Sequence, residues 1–238
     1  MSGKILIHHL TQSRSERIFW LLEELGLPYD VKVYARTKEG KGPKSLAEAV
    51  PMGKQAPAIT LPDGRTITES GFIVNQLLSH HPSASTESTA SADSIFWNHF
   101  SEGSLMLHLQ SAFTSNKIAE GFGAYKILYL LLFFQGGIWA FNKFVQGLEK
   151  KNLQPMLDYV EEFLGTNPGF SGNDKLGEGD FMMIFPLSAI AKGGRGPYIL
   201  GPKTEAWVKR TEQRPAYVRA MQRMKEEEER QVTGPSPE

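Results

Sequence analysis

The 238-residue sequence predicts a small α/β domain joined by a linker to an all-helical domain. Three observations predict it. Up to residue 80 the apolar periodicity alternates between strand and helix in the order β-α-β-α-β-β-α, which calls for a mixed sheet. Residues 82–94 then run Pro-Ser-Ala-Ser-Thr-Glu-Ser-Thr-Ala-Ser-Ala-Asp-Ser without one large apolar side chain, the composition of a linker. After them only helical spacing recurs. The expected boundaries are 1–81 for the first domain, 82–94 for the linker, 95–230 for the helical domain and 231–238 for a disordered tail containing Gly234, Pro235 and Pro237.

Each element has its own signal. Residues 4–10 are short, apolar and bounded by polar residues, so they read as a buried strand. Over 13–25 the period changes: Ile18, Leu21, Leu22 and Leu25 fall at i, i+3, i+4 and i+7, with Gly26 where a C-cap belongs. Residues 31–34 alternate as a second strand, and 44–50 form a short helix. Two strands, 58–61 and 65–67, flank Pro62-Asp63-Gly64, a tight-turn sequence. Phe72, Ile73, Gln76 and Leu77 give a helix over 72–78. Beyond the linker, helices are expected over 95–113, 125–148, 153–164, 181–191, 204–210 and 215–230.

Composition excludes several functions. Lysine plus arginine and aspartate plus glutamate are each 26, so there is no basic surplus to attract nucleic acid. Cysteine is absent, which removes disulfides, cysteine-based zinc sites and a cysteine nucleophile. The apolar run Ile5-Leu6-Ile7 is too short for a signal peptide, and a cytoplasmic protein is expected. The most apolar stretch, 127–141, is interrupted by Gln135-Gly136-Gly137 and falls short of the ~20 residues a membrane span needs. The favoured reading of that stretch is a central bundle helix; an apolar surface touching a membrane, edged by Lys126 and Lys143, is the alternative. No metal site is expected. His8 and His9 face opposite sides of a strand, and His99 and His108 are out of phase on a helix. The glutamate-rich run 225–230 reads as a solvated helix face.

Four features of the first domain can bind an anionic, peptide-like ligand. Ser13-Arg14-Ser15-Glu16 has the spacing of a capping box, so Ser13 either caps the first helix or aims its hydroxyl at an anion held at the helix end. Gln55-Ala56-Pro57 opens the third strand; a cis proline there leaves the backbone of Ala56 to pair with an extended ligand, whereas a trans proline is ordinary edge chemistry. Glu69-Ser70-Gly71 opens the next helix, where free amides and a hydroxyl can bind a carboxylate and Glu69 an ammonium, or simply cap. Lys41 and Lys44 are either solvated or a clamp for a second carboxylate.

In this order and spacing, over almost the whole chain, these features resemble the glutathione transferase family. Residues 13–29, Ser-Arg-Ser-Glu-Arg-Ile-Phe-Trp-Leu-Leu-Glu-Glu-Leu-Gly-Leu-Pro-Tyr, are similar to its first helix. Gln55-Ala56-Pro57 and Glu69-Ser70-Gly71 resemble its glutathione-binding signatures. Glu102-Gly103-Ser104-Leu105-Met106 resembles a motif of the fungal and bacterial, serine-type subgroup related to the yeast Gtt enzymes. Gly177-Glu178-Gly179-Asp180 resembles the family's helix-capping box, with glycine at 177 where Ser or Thr usually stands.

The resemblance implies a thioredoxin-like N-terminal domain and a helical-bundle C-terminal domain. It implies a transferase in which Ser13 lies beside the glutathione sulfur, aligned on Arg17, with Lys41, Gln55, Ala56, Pro57, Glu69 and Ser70 binding the tripeptide. Glutathione is then a co-substrate, with no bound cofactor, and the second substrate is a hydrophobic electrophile or a hydroperoxide. A homodimer and a detoxification or oxidative-stress role follow from the same resemblance. A glutathione-dependent peroxidase and a non-catalytic ligand-binding protein on this fold remain the alternatives. Trp97, Phe100 and Tyr125 are candidates, from domain order alone, to line an acceptor pocket; helical core is the simpler reading of each.

The magnitudes allow this chemistry without a metal. A thiol of pKa about 8.5 must be lowered by about two units to be mostly thiolate at neutral pH, a preference of ~2.7 kcal/mol. A hydroxyl donor to a charged acceptor supplies ~1.5–3 kcal/mol. A helix N-terminus adds ~0.3–2 kcal/mol.

Overall fold

The computed structural model describes residues 3–51, 53, 56–111, 147, 151–193 and 198–232. Four strands, β1 (Ile5–Leu10), β2 (Tyr29–Tyr34), β3 (Ala58–Thr60) and β4 (Thr66–Thr68), form one sheet in the order β2-β1-β3-β4. β1 runs parallel to β2 and antiparallel to β3, and β3 is antiparallel to β4. Parallel β1 and β2 need a crossover, supplied by α1 (Glu16–Leu25). β3 and β4 need only the turn at 62–64, where Gly64 has φ 87°. α2 (Lys44–Ala49) and α3 (Ser70–His80) complete the expected β-α-β-α-β-β-α order.

The two faces of the sheet follow from strand alternation. On one, Leu10, Tyr34 and Ala58 pack with Leu46 of α2 and Val50. On the other, Ile5, Ile7 and His9 lie toward α1, whose Ile18, Phe19, Trp20, Leu21 and Leu22 are all fully buried. Each such side chain contributes ~1.5–3 kcal/mol by leaving water. Gly26 ends α1 at φ 64°, the left-handed conformation that glycine adopts without a Cβ clash.

The helical region continues with α4 (Ala92–Phe100), a π-helical turn over Ser101–Leu105, and helical residues 106–111 (α5) and 151–166 (α6). α7 (Glu178–Ala191), α8 (Pro202–Glu212) and α9 (Pro215–Val232) follow. The helix expected over 125–148 lies outside the described residues apart from Gly147, which is helical. The chain divides into two compact units: Met1–Asn98 with Pro168–Phe185 and Lys209–Glu238, and His99–Asn167 with Pro186–Val208. In the second, Leu153, Leu157, Val160 and Leu164 form the buried stripe of α6.

α9 belongs to the unit that holds the sheet, packed on α1 and β2. Charge pairs fix it there. Arg214 donates to both oxygens of Glu24 at 2.6 and 3.2 Å, and Arg219 to Glu23 at 3.0 Å. Arg223 lies 3.8 Å from the centroid of the Tyr29 ring. Gln231, expected to open a disordered tail, is instead helical, and its side-chain amide bonds β2; residues 233–238 lie outside the described residues. The stretch read as a linker is ordered as well, with Thr86 bridged to Leu176 and both Thr86 and Glu87 buried.

Candidate active site

Strand register and chain order bring three of the sequence-selected segments to one end of the sheet. Ala58 pairs with both His8 and Thr68. Carrying these registers two residues further sets Pro57 and Ala56 between the end of β1 on one side and Glu69 and Ser70 on the other. The loop holding Ser13 leaves that same end of β1.

Ser13 is not the N-cap that the capping box suggests. α1 starts at Glu16 after Ser15, and Ser13 lies in the preceding turn, where its Oγ accepts from the Ser15 N–H at 3.3 Å. It is partly exposed, whereas Ser15 is fully buried, 0% exposed. Arg36 holds this loop from outside. Its guanidinium donates to the carbonyls of Thr11 (2.9 Å), Gln12 (3.0 Å) and Gly40 (2.8 Å). Gln12, at φ 54°, adopts the left-handed turn that this arrangement requires.

Behind Ser13 lies a set of contacts that sequence reading missed. Ser13 Oγ is 2.7 Å from Ser15 Oγ, which is 2.6 Å from His9 Nδ1; His9 Nε2 is 2.7 Å from Glu228 Oε1. His9 is 1% exposed and lies edge-on to Phe19, with ring centroids 5.3 Å apart. Burial pushes the His9 pKa below its ordinary value, and Glu228 opposes this through its hydrogen bond and its charge. The connectivity is that of a nucleophile, a base and an acid, but the buried Ser15 is closed to a reacting atom. The glutamate run of α9 is therefore not all solvated: Glu228 faces the sheet while Glu226 and Glu229 are exposed.

The other segments keep their places. The Ala56–Pro57 bond is cis. Glu69 is exposed and holds φ 71°, ψ 112° ahead of α3, and Ser70 is buried. The first amides of α3 have no partner one turn back, so they point a partial positive charge out of the helix end. Gly71 is small for a reason: a β-carbon there would come within 2.6 Å of Asn98 Oδ1. Lys41 is exposed and its N–H donates to Thr37 Oγ1 at 3.3 Å, while Lys44 pairs with Glu48 at 3.5 Å. Gln55 and Tyr125 lie outside the described residues.

Of the residues expected to line an acceptor pocket, Trp97 and Phe100 are described and fall in different units. Trp97 is fully buried against Phe170, ring centroids 5.0 Å apart, which is the simpler core reading. Phe100 belongs to the other unit, 6.5 Å from the Tyr159 ring. Among the described residues there is no group of three or more metal-ligating side chains, and no helix is long and apolar enough to cross a membrane.

Comparison with known proteins agrees with this architecture. The family model described as "Glutathione S-transferase, N-terminal domain" matches residues 13–77. Glutathione S-transferase 3 of Schizosaccharomyces pombe is 32% identical over 222 residues, covering 89% of this chain and 84% of that protein. Glutathione S-transferase 1 of Saccharomyces cerevisiae is 29% identical over 192 residues, 77% of this chain and 79% of its own. A glutathione transferase from Phanerochaete chrysosporium, solved with oxidised glutathione, shares the fold at TM-score 0.71 and 14% identity, covering 96% of this chain and 98% of that one. The fold is a thioredoxin-like N-terminal sheet with a helical C-terminal region, and the chain belongs to the glutathione S-transferase family.

Proposed function

We propose that the protein binds glutathione at the end of the sheet where Ser13, Ala56–Pro57 and Glu69–Ser70 lie, and that it activates the thiolate for attack on a hydrophobic electrophile. One observation carries this reading: Ser13, the partly exposed end of a hydrogen-bonded pair of serines, stands in the turn ahead of α1. A hydroxyl and a helix end together supply the ~2.7 kcal/mol that shifts a thiol by about two pH units. Glu69 takes the ammonium and the α3 amides with Ser70 take the carboxylate of the γ-glutamyl end. Gln55 and the backbone of Ala56 hold the peptide, with Pro57 shaping that turn, and Lys41 meets the second carboxylate.

The serine-type assignment, the cytoplasmic location, the detoxification role and the homodimer are parts of the same reading. Two relatives in fold were solved with two glutathiones each, those from Pseudomonas fluorescens and Lodderomyces elongisporus, which supports a tripeptide ligand. Capture on immobilised glutathione, followed by assays with an aryl halide and with cumene hydroperoxide, tests the reading. Capture with aryl-halide turnover is expected. Turnover of the hydroperoxide alone makes the protein a peroxidase, and capture without turnover makes it a carrier. Light scattering should give the mass of two chains.

A further inference from the structure

The contacts behind Ser13 have a direction, and proton counting fixes it. Glu228 ionised can only accept, so His9 Nε2 carries a proton and donates it across 2.7 Å. Neutral His9 then has a bare Nδ1, and Ser15 must donate to it across 2.6 Å. With its one proton spent, Ser15 accepts from Ser13 at 2.7 Å. At rest, therefore, the Ser13 proton points inward and only a lone pair faces out. That polarity suits a thiol and is wrong for a thiolate.

We propose that His9 is the acceptor of the glutathione thiol proton, passed through Ser13 and Ser15, with Glu228 holding the resulting imidazolium. The inference rests on the proposed place of the glutathione sulfur at Ser13. The thiol proton moves to Ser13 Oγ as the Ser13 proton moves to Ser15 Oγ and the Ser15 proton to His9 Nδ1. One S–H and two O–H bonds break; two O–H bonds and one N–H bond form. The sulfur ends as an anion and His9 as a cation, so proton and charge balance without a co-reactant. The His9–Ser15 and Ser15–Ser13 hydrogen bonds now run the other way, His9 Nε2 still donates to Glu228, and Ser13 donates to the thiolate. Once the thiolate is consumed, the proton returns along the same path to solvent.

The surroundings fit the role. Ser15, ahead of α1, and His9, on the sheet face that also carries Ile5 and Ile7, are polar groups 0% and 1% exposed. From α9, Glu228 is the ionisable group among the described residues whose charge acts on His9; from α1, Phe19 presents a ring edge. Burial keeps His9 neutral until a proton is delivered, and the Glu228 carboxylate, its side chain 31% exposed, is in place when it is. His9 and Glu228 touch no substrate; they act through the serines.

Three measurements on the intact protein test this. Imidazole NMR of the wild type should show His9 becoming imidazolium on addition of glutathione, but not of S-methylglutathione, which has no thiol proton. The apparent pKa of the bound thiol should rise by about one pH unit in His9→Gln and in Glu228→Gln, so the thiolate absorbance of the glutathione complex at neutral pH should fall about threefold. Both variants should bind S-methylglutathione as the wild type does, which separates a lost relay from a lost fold. Should His9→Gln fail to fold, the wild-type NMR and Glu228→Gln, on the partly exposed helix face, still decide the matter. A complex that is mostly thiolate while His9 stays neutral overturns the relay, as does thiolate absorbance unchanged in the variants. If the wild type binds neither ligand, it is the functional reading that fails.

Discussion

A β-carbon on Gly177 would overlap the hydroxyl oxygen of Ser94, and that oxygen accepts from the Gly179 N–H at 3.3 Å. The hydroxyl missing from the capping box is thus supplied by α4. Asp180 completes the box by accepting from the Gly177 N–H at 2.9 Å. The sequence counts this position as short of one cap bond; in the structure it is not.

Gly177→Ser should therefore destabilise the protein by ~1–3 kcal/mol through overpacking, even though serine is the usual cap. Ser94→Ala should cost ~1 kcal/mol through the lost acceptor. The double variant should be more stable than the sum of the two losses, because it returns the hydroxyl to position 177 and removes the Ser94 oxygen, the nearer of the two side-chain oxygens it would overlap; the other is Glu87 Oε2. Denaturant unfolding of all four proteins gives the coupling; strict additivity would refute the exchange.

Glu69 holds φ 71° without glycine, a conformation that costs ~1–3 kcal/mol. Glu69→Gly should raise the unfolding free energy by ~1 kcal/mol and Glu69→Ala should not, since alanine keeps the backbone clash. Both should raise the glutathione KM by roughly tenfold, as expected for a lost charge-assisted hydrogen bond of ~1.5 kcal/mol, with the acceptor KM little changed. Steady-state kinetics beside thermal unfolding checks this, and equal effects on both substrates would point instead to a folding defect.

Asp180 gives the fold a pH dependence. Burial raises its pKa to about 6, with the Glu87 charge adding to the rise and the Gly177 and Phe170 amides opposing it. The folded value lies above the unfolded one, so the native state binds this proton more tightly. The contribution to stability is full below about pH 4 and lost as pH rises to about 6, a change of roughly 3 kcal/mol. The difference in unfolding free energy between the wild type and Asp180→Asn should accordingly move toward the variant between pH 4 and 7. A pH-independent difference would contradict the burial argument.

Gln231 covers the open edge of β2. Its amide accepts from the Val33 N–H at 2.9 Å and donates to the Val31 carbonyl at 2.9 Å. Truncation after Arg230, which should leave activity intact, should therefore still cost ~1–2 kcal/mol of stability, and Gln231→Ala about the same. Urea titration of the two variants measures it.

The strands, α1 to α3 and the Gly26 cap were legible because each is a local pattern of apolar spacing and turn residues. Ser13, Ala56–Pro57 and Glu69–Ser70 were legible as segments, and the register unites them. His9 was not, since its partners Ser15 and Glu228 stand 6 and 219 residues away. Periodicity marks the helix that carries Glu228 and cannot say what that helix docks against. The Arg36 clamp was invisible because it binds carbonyls, which leave no trace in side-chain identity. Ser94 escaped notice for a related reason: a cap supplied from another helix has no sequence spacing.

The central claim is that Ser13 holds the glutathione thiolate. It is tested most directly by the thiolate absorbance of the protein–glutathione complex as a function of pH, in the wild type and in Ser13→Ala. The account predicts that the apparent pKa of the bound thiol rises by roughly one to two pH units in the variant, the equivalent of ~1.5–3 kcal/mol lost at the sulfur. Ser13→Asp should raise it further, because a carboxylate repels the anion. An unshifted titration in Ser13→Ala, with glutathione still bound, would contradict the claim and leave the backbone amides as the thiolate's support.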